Sequence, residues 1–164
     1  MADSSLATDA FLICRGNARL CALPLESVVE TMRPLPVRPL AEMPSFVLGV
    51  SIIRGAAVPV LDGAMLVGTK PDGEPARFVV LRTGTRHVCL AMQEVIGVRH
   101  LPRASLAGIP PLLQQAGTAI VSALGTLDAE LLVVLQGGRL LADDLWSAVT
   151  AAAAATGMEE PAAS

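Results

Sequence analysis

Apolar positions in this chain come in short runs separated by Gly, Pro, Asn and Asp, with almost no long helical periodicity until the end. The clearest stretch is Phe46 to Leu66, FVLGVSIIRGAAVPVLDGAML, apolar almost throughout and interrupted only by Arg54-Gly55 and one acid, Asp62. An apolar run, a glycine turn and a second apolar run marked by Pro59 predict two paired strands. Upstream, Phe11 to Cys14 and Arg19 to Leu25 flank the turn residues Gly16-Asn17 and predict a hairpin. A third strand is expected over Glu26 to Met32, with Val28 and Val29, after a single helical turn near Pro24 to Ser27. Pro34, Pro36, Pro39 and Pro44 then impose a rigid loop, since proline fixes φ and cannot donate to a ladder. Ser45 to Val50 can open as a helical turn, followed by strands over Val50 to Ile53 and Ala57 to Leu61.

Gly68 to Pro75 is rich in turn formers and charge and reads as the best boundary. Beyond it the plan repeats more loosely. Strands are expected over Ala76 to Leu81, Arg86 to Met92 and Glu94 to Val98. A connecting loop with at most one helical turn follows from Leu101 to Gln115, then strands over Ala119 to Leu124 and Glu130 to Leu135, closed by Gly137-Gly138. Arg19-Leu-Cys-Ala-Leu matches Arg86-His-Val-Cys-Leu, Val28-Val29 matches Val95-Ile96, and Val58-Pro-Val-Leu-Asp62 matches Leu132-Val-Val-Leu-Gln136. Two five-strand units are the simplest reading of this duplication, and antiparallel sheets of that size close into small barrels to hide their edges. Leu140, Leu141, Leu145 and Val149 change to near-helical spacing, with Asp143 and Asp144 in the first turn, where the helix dipole favours acids. A packed helix is expected over 140–150, fraying into Ala151 to Ala155. The predicted class is all-β with one closing helix: a domain over 10–150, a first barrel near 10–67, a second near 76–136, and flexible tails at 1–9 and 156–164.

Composition narrows the function. The 164 residues carry a formal net charge of -3 and no basic block, which argues against nucleic acid as partner. Aromatic residues make up 2%, too few for stacking on bases or sugars, while 52% are hydrophobic. The longest apolar stretches are broken by Arg54, Pro59 and Asp62, short of the roughly 20 apolar residues a membrane span needs. The first residues, MADSSLATDAF, lack the basic start of a signal peptide, and three cysteines without a CxxC suit a reducing compartment, so a cytoplasmic protein is expected.

No catalytic constellation stands out, and neither a cofactor nor a metal is expected. His87 and His100 have no acid at useful spacing, and Cys14, Cys21 and Cys89 lack zinc spacing, although the first hairpin allows Cys14 and Cys21 to face each other as small buried hydrophobes. Pro36-Val37-Arg38-Pro39 fits a PxxP ligand, but proline spacers crossing a barrel end account for it better. Asp62 ends a strand before a glycine; its carboxylate either caps the next turn or meets a partner. Arg54, at a strand-to-turn junction, is an interface anchor, an internal salt-bridge partner or a solvated charge. Met32 and Met43 either offer apolar contact or fill gaps in small cores.

The run Gly49-Val-Ser-Ile-Ile-Arg54-Gly55, followed by Val58-Pro59-Val60-Leu61-Asp62, resembles the CheW family of chemotaxis coupling proteins, whose pattern is close to G-V-x-N-[LI]-R-G-x-[VI]-x-P-[VI]-x-D-L. Leu23-Pro24-Leu25 through Val28-Val29-Glu30, Leu81 to Val98 and Gly125 to Leu141 are weaker matches, and the likeness covers about residues 10 to 145. The resemblance implies two five-stranded SH3-like β-barrels and a non-catalytic adaptor. Such an adaptor bridges a chemoreceptor's cytoplasmic tip and the regulatory domain of a CheA-type histidine kinase, is recruited to receptor arrays at the inner membrane without entering it, and is able to join a ring with the kinase. It also implies partner contacts around Val28, Glu30, Arg54 and Gly55, with Asp62 alongside. The chain departs from the pattern at Ile52, where the family has Asn, at Gly63, where it has Leu, in Cys89 to Val95, which has no acid matching the one in the family's G-L-x-V-D-x-V, and at Ala123, where glycine is common. These departures leave open a CheW-like scaffold in a different, non-flagellar assembly, such as one for pilus-based motility. An enzymatic or ligand-binding barrel is the third reading, and it lacks convergent polar groups.

Overall fold

The computed structural model describes residues 7–70, 73–106, 121–135, 140–155 and 157. Ten strands fill most of it: β1 Thr8–Gly16, β2 Arg19–Pro24, β3 Val28–Met32, β4 Val47–Ile53, β5 Ala56–Asp62, β6 Arg77–Thr83, β7 Arg86–Met92, β8 Glu94–Pro102, β9 Val121–Leu127 and β10 Glu130–Leu135. Two short 3-10 turns, Leu25–Ser27 and Arg103–Ser105, follow prolines at strand ends, and two helices, α1 Gly63–Leu66 and α2 Asp143–Ala155, complete the described residues. Pro110-Pro111, Gly137-Gly138 and both chain ends lie outside the described residues.

The strands form two five-stranded sheets, ordered β8-β1-β2-β10-β9 and β3-β6-β7-β5-β4. Shifting every strand by five places in the chain converts one order into the other, so the repeat seen in the sequence is a repeat of topology. The expected cut between a barrel at 10–67 and another at 76–136 is corrected here. β3 pairs with β6 through Glu30↔Val80, Thr31↔Val79 and Met32↔Phe78, while the β1-β2 hairpin pairs with β8 and β10. Each half therefore gives its first hairpin, two strands, to the sheet that holds the other half's remaining three. The expected linker is also a tie. Asn17 Nδ2 donates to the Lys70 carbonyl at 2.6 Å, Arg19 Nη1 to that of Val67 at 2.7 Å, and Thr69 Oγ1 to that of Gly16 at 3.1 Å.

Burial explains why so many strands read as unbroken apolar runs. On β1 and β2, Phe11, Ile13, Leu20 and Ala22 point into a core with Leu132 and Val134, enclosed by the first sheet. The alternate residues Leu12, Cys14, Cys21 and Leu23 point the other way, into a larger core shared by both sheets. In the second sheet Ile53, Val58, Val60, Phe78, Val80 and Cys89 form the enclosed core, while Leu61, Leu81, Val88 and Leu90 join the shared one. Each sheet curls around its own core, which is the barrel architecture, and the two barrels are welded along the shared one. A strand buried on both faces loses the period-two alternation that marks a half-buried strand.

Helix α2 runs further than expected. It begins at Asp143 and continues through the alanine run to Ala155, because Trp146, Val149 and Ala153 lie on one face against the shared core. Leu140 and Leu141 pack there as well, but ahead of the helix.

Candidate protein-interaction site

The hairpin turn between β4 and β5 is the most constrained exposed feature near the expected contact residues. Arg54 and Gly55 both have positive φ, 50° and 80°, the type I′ combination whose twist matches a two-residue hairpin. Arginine is uncommon there, since a Cβ in the left-handed region costs roughly 1–2 kcal/mol. Its side chain, 77% exposed, crosses to Glu30 on β3: Nε donates to Oε2 at 2.6 Å and Nη2 to Oε1 at 2.7 Å. β3 and β4 are the two outer strands of this sheet, so the fork spans its open seam. The hydrogen bond from Arg54 holds the Glu30 carboxyl below the usual carboxylate range, with a smaller contribution from the charge of His87.

The sign of the resulting pH dependence follows. A lowered native pKa means the Arg54–Glu30 pair contributes fully above the unfolded carboxylate value and is lost as pH falls through the lowered one. The stability difference between wild type and Glu30→Gln in urea melts is expected to be constant above about pH 5 and to shrink below it. A difference that grows on acidification would contradict the pairing.

The sequence-selected residues separate into two places. Arg54, Gly55 and Glu30 meet at the turn, and Val28 lies two residues from Glu30 on the same strand, half-buried against the shared core. Asp62 lies at the opposite end of β5 from the turn. Its Oδ1 accepts from the backbone N–H groups of Ala64 and Met65 at 2.9 and 3.3 Å and caps α1, the turn-capping role considered for it.

Sequence reasoning did not single out the proline segment's fit against β4. Arg38 and Val50 exchange both backbone hydrogen bonds, at 2.8 and 2.9 Å, and Ser51 Oγ donates to the Pro36 carbonyl at 2.8 Å. Beside this strap runs a shallow, mostly aliphatic groove lined by Leu35, Pro36, Val37, Pro39, Val50 and Ile52 together with Arg38 and Ser51. Ile52 is 50% exposed, the highest value among the exposed large apolar residues described.

The remaining reactive groups do not converge. Cys14 and Cys21 face each other across β1 and β2, both fully buried. The neighbouring Cys14 thiol and burial both push the Cys21 thiol up, and burial pushes Cys89 up, so neither resembles a nucleophile. His87 and His100 sit on different sheets. Among the described residues no three His, Cys, Asp or Glu side chains are grouped as metal ligands would be, and no helix is long and apolar enough to cross a membrane. A larger cavity beside Phe11, Pro24 and Val134 has its arginine, Arg103, paired with Asp9 at 3.0 Å.

Comparison with known proteins agrees with this architecture. A family model described as the CheW-like domain matches residues 10–145. Protein FrzA of Myxococcus xanthus is 35% identical over 100 residues, covering 60% of this chain and 61% of FrzA, so the match spans about three fifths of that relative. The crystal structure of the scaffolding protein TtCheW from Thermoanaerobacter tengcongensis superposes with a TM-score of 0.68, at 20% identity, over 79% of this chain and 89% of that one, a likeness of fold. With the family match running from β1 through both sheets to the start of α2, the chain belongs to the CheW-like domain family.

Proposed function

We propose that this chain is a non-catalytic adaptor that couples a chemoreceptor's cytoplasmic tip to the regulatory domain of a CheA-type histidine kinase. The observation that carries the reading is the Arg54-Gly55 turn, exposed, locked to Glu30 across the barrel seam and set beside aliphatic surface. A rigid, preformed contact of this kind loses little entropy on binding. Two barrels sharing a core also present two ends, which suits an adaptor that joins partners and can enter a ring with the kinase. In this reading the protein works in the cytoplasm at receptor arrays on the inner membrane. The Ile52 departure, at an exposed side chain, favours a second version of the same role, a CheW-like scaffold in a non-flagellar assembly such as one for pilus-based motility.

Titration of the purified chain with the regulatory domain of its genomic neighbour kinase tests the proposal. Micromolar affinity is expected, about -8 kcal/mol. Arg54→Asn keeps a favourable type I′ turn while removing the fork, so binding should weaken about tenfold with the melting temperature within ~2 °C of wild type. Absence of binding to every kinase regulatory domain of the same cell would overturn the proposal. A large drop in melting temperature for Arg54→Asn would make Arg54 an internal staple instead.

A further inference from the structure

We infer that two copies of this chain exchange the β1-β2 hairpin, giving a closed dimer in which the hairpin of each protomer lies between β8 and β10 of its partner.

The hairpin is a guest in its sheet. It comes from the first half of the chain, whereas β8, β10 and β9 come from the second. Both of its edges are paired there, β1 with β8 over Thr8 to Arg15 and β2 with β10 through Leu20, Cys21 and Ala22. Both of its faces are covered as well. Ile13 and Ala22 enter the enclosed core, Cys14 and Leu23 the shared one, and all four are fully buried. Every other described strand lies downstream, so the covalent route from the hairpin to its sheet runs through Leu25–Ser27.

That connection is the looser of two equivalents. The matching hairpin, β6-β7, is also passed to the other half's sheet, but a single residue, Gln93, joins it to β8. Gln93 follows the fully buried Met92, and its N–H donates to the Arg15 carbonyl. Leu25–Ser27 instead forms a 3-10 turn after Pro24, with no side-chain cap and no buried residue. Only Leu25 of the three packs against the shared core, half-buried. Drawing this turn out from about 2 Å to about 3.3 Å per residue swings the hairpin away from its own sheet.

An open chain exposes apolar surface on the hairpin and on β8 and β10, so it must recapture a hairpin. A second copy offers the same surface in the same register, and mutual exchange closes with two-fold symmetry. Release from two edges and two faces approaches unfolding. The exchange therefore belongs to folding, when concentration decides whose hairpin arrives first.

The test refolds the full chain from urea. At about 1 mM, against about 1 μM, a dimer should be enriched on size exclusion with light scattering. Cysteines placed by Ala10→Cys and His100→Cys, opposite one another on β1 and β8, report where the hairpin sits. After oxidation they link a monomer to itself, and the exchanged dimer should run at twice the mass on a denaturing, non-reducing gel. Tagged and untagged chains should give mixed dimers when refolded together and none within about an hour when mixed already folded. Where the cysteines do not link, this mixing result decides. A dimer peak linked only within single chains, rapid mixing of folded chains, or no dimer after refolding at the higher concentration would each overturn the inference.

Discussion

Gly49→Ala should unfold this protein about 10 °C below wild type, a loss on the order of 3 kcal/mol for a chain of this size. Gly49 lies in β4 where the proline strap crosses the strand, with φ +144, a conformation side chains rarely adopt. A Cβ there would overlap the Arg38 carbonyl oxygen and lie 2.7 Å from its carbon and 2.9 Å from Pro39 Cα. These are backbone atoms, and the strap is held by the reciprocal Arg38–Val50 hydrogen bonds, so it cannot yield without losing them. Gly97→Ala separates the two costs. Gly97 has nearly the same φ, +146, with nothing near the added carbon, so it should lose only backbone strain, roughly 1–3 kcal/mol. Thermal melts of the two variants check this. Equal losses would show that strap and strand are not in close contact, and no loss at Gly49 would place the strap elsewhere.

How far the fold is legible in the sequence depends on which faces are buried. The strands announce themselves because Gly, Pro and Asn interrupt apolar runs at every turn. Their partners do not. Cys14 and Ile13 are both fully buried, yet they point into different cores, and nothing in an unbroken apolar run says which side meets which neighbour. That is why the repeat of five strands is visible while the exchange of hairpins between its halves is not. The four-residue α1, GAML, is too short to show a period, although Asp62 ahead of it carries the capping signal. The family's Leu is replaced there by Gly63, whose added Cβ would overlap the Met92 sulfur and lie 2.9 Å from the Ala91 carbonyl oxygen. The departure follows the way α1 packs on β7.

The site is legible in part. Arg54 stands out in the sequence as a lone charge in an apolar stretch, and the alternatives considered for it prove compatible: it is both exposed and salt-bridged. Its partner, 24 residues away on the opposite edge of the sheet, is set by barrel curvature, which no local pattern encodes. Ile52 shows the complementary case. The sequence marks it as a departure from the family pattern, but only the strap, with Pro36 opposite, explains why that side chain stays open.

Trp146→Ala should cost about 3–5 kcal/mol, the range for removing a large buried aromatic side chain, and should release α2 as well as lower the melting temperature. Trp146 is the only tryptophan and is 5% exposed in the shared core, beside Val149 and Ala153 on the same helical face. The Arg86 guanidinium lies 5.1 Å from the ring centroid, tying the helix to β7 with a cation–π contact that contributes about 0.5–1 kcal/mol at an exposed site. The rest of α2 offers little to hold it. It spans 13 residues, its last turns are alanine, and a helix of that length is marginal alone even when alanine-rich. The truncated variant should therefore lose helical circular dichroism below its main transition, whereas Trp146→Phe, which keeps an aromatic face for Arg86, should lose less stability and keep the helix. Retention of the helical signal in Trp146→Ala up to an unshifted melt would mean that Leu140, Leu141 and Val149 suffice to dock α2, and that the weld between the barrels does not depend on the indole.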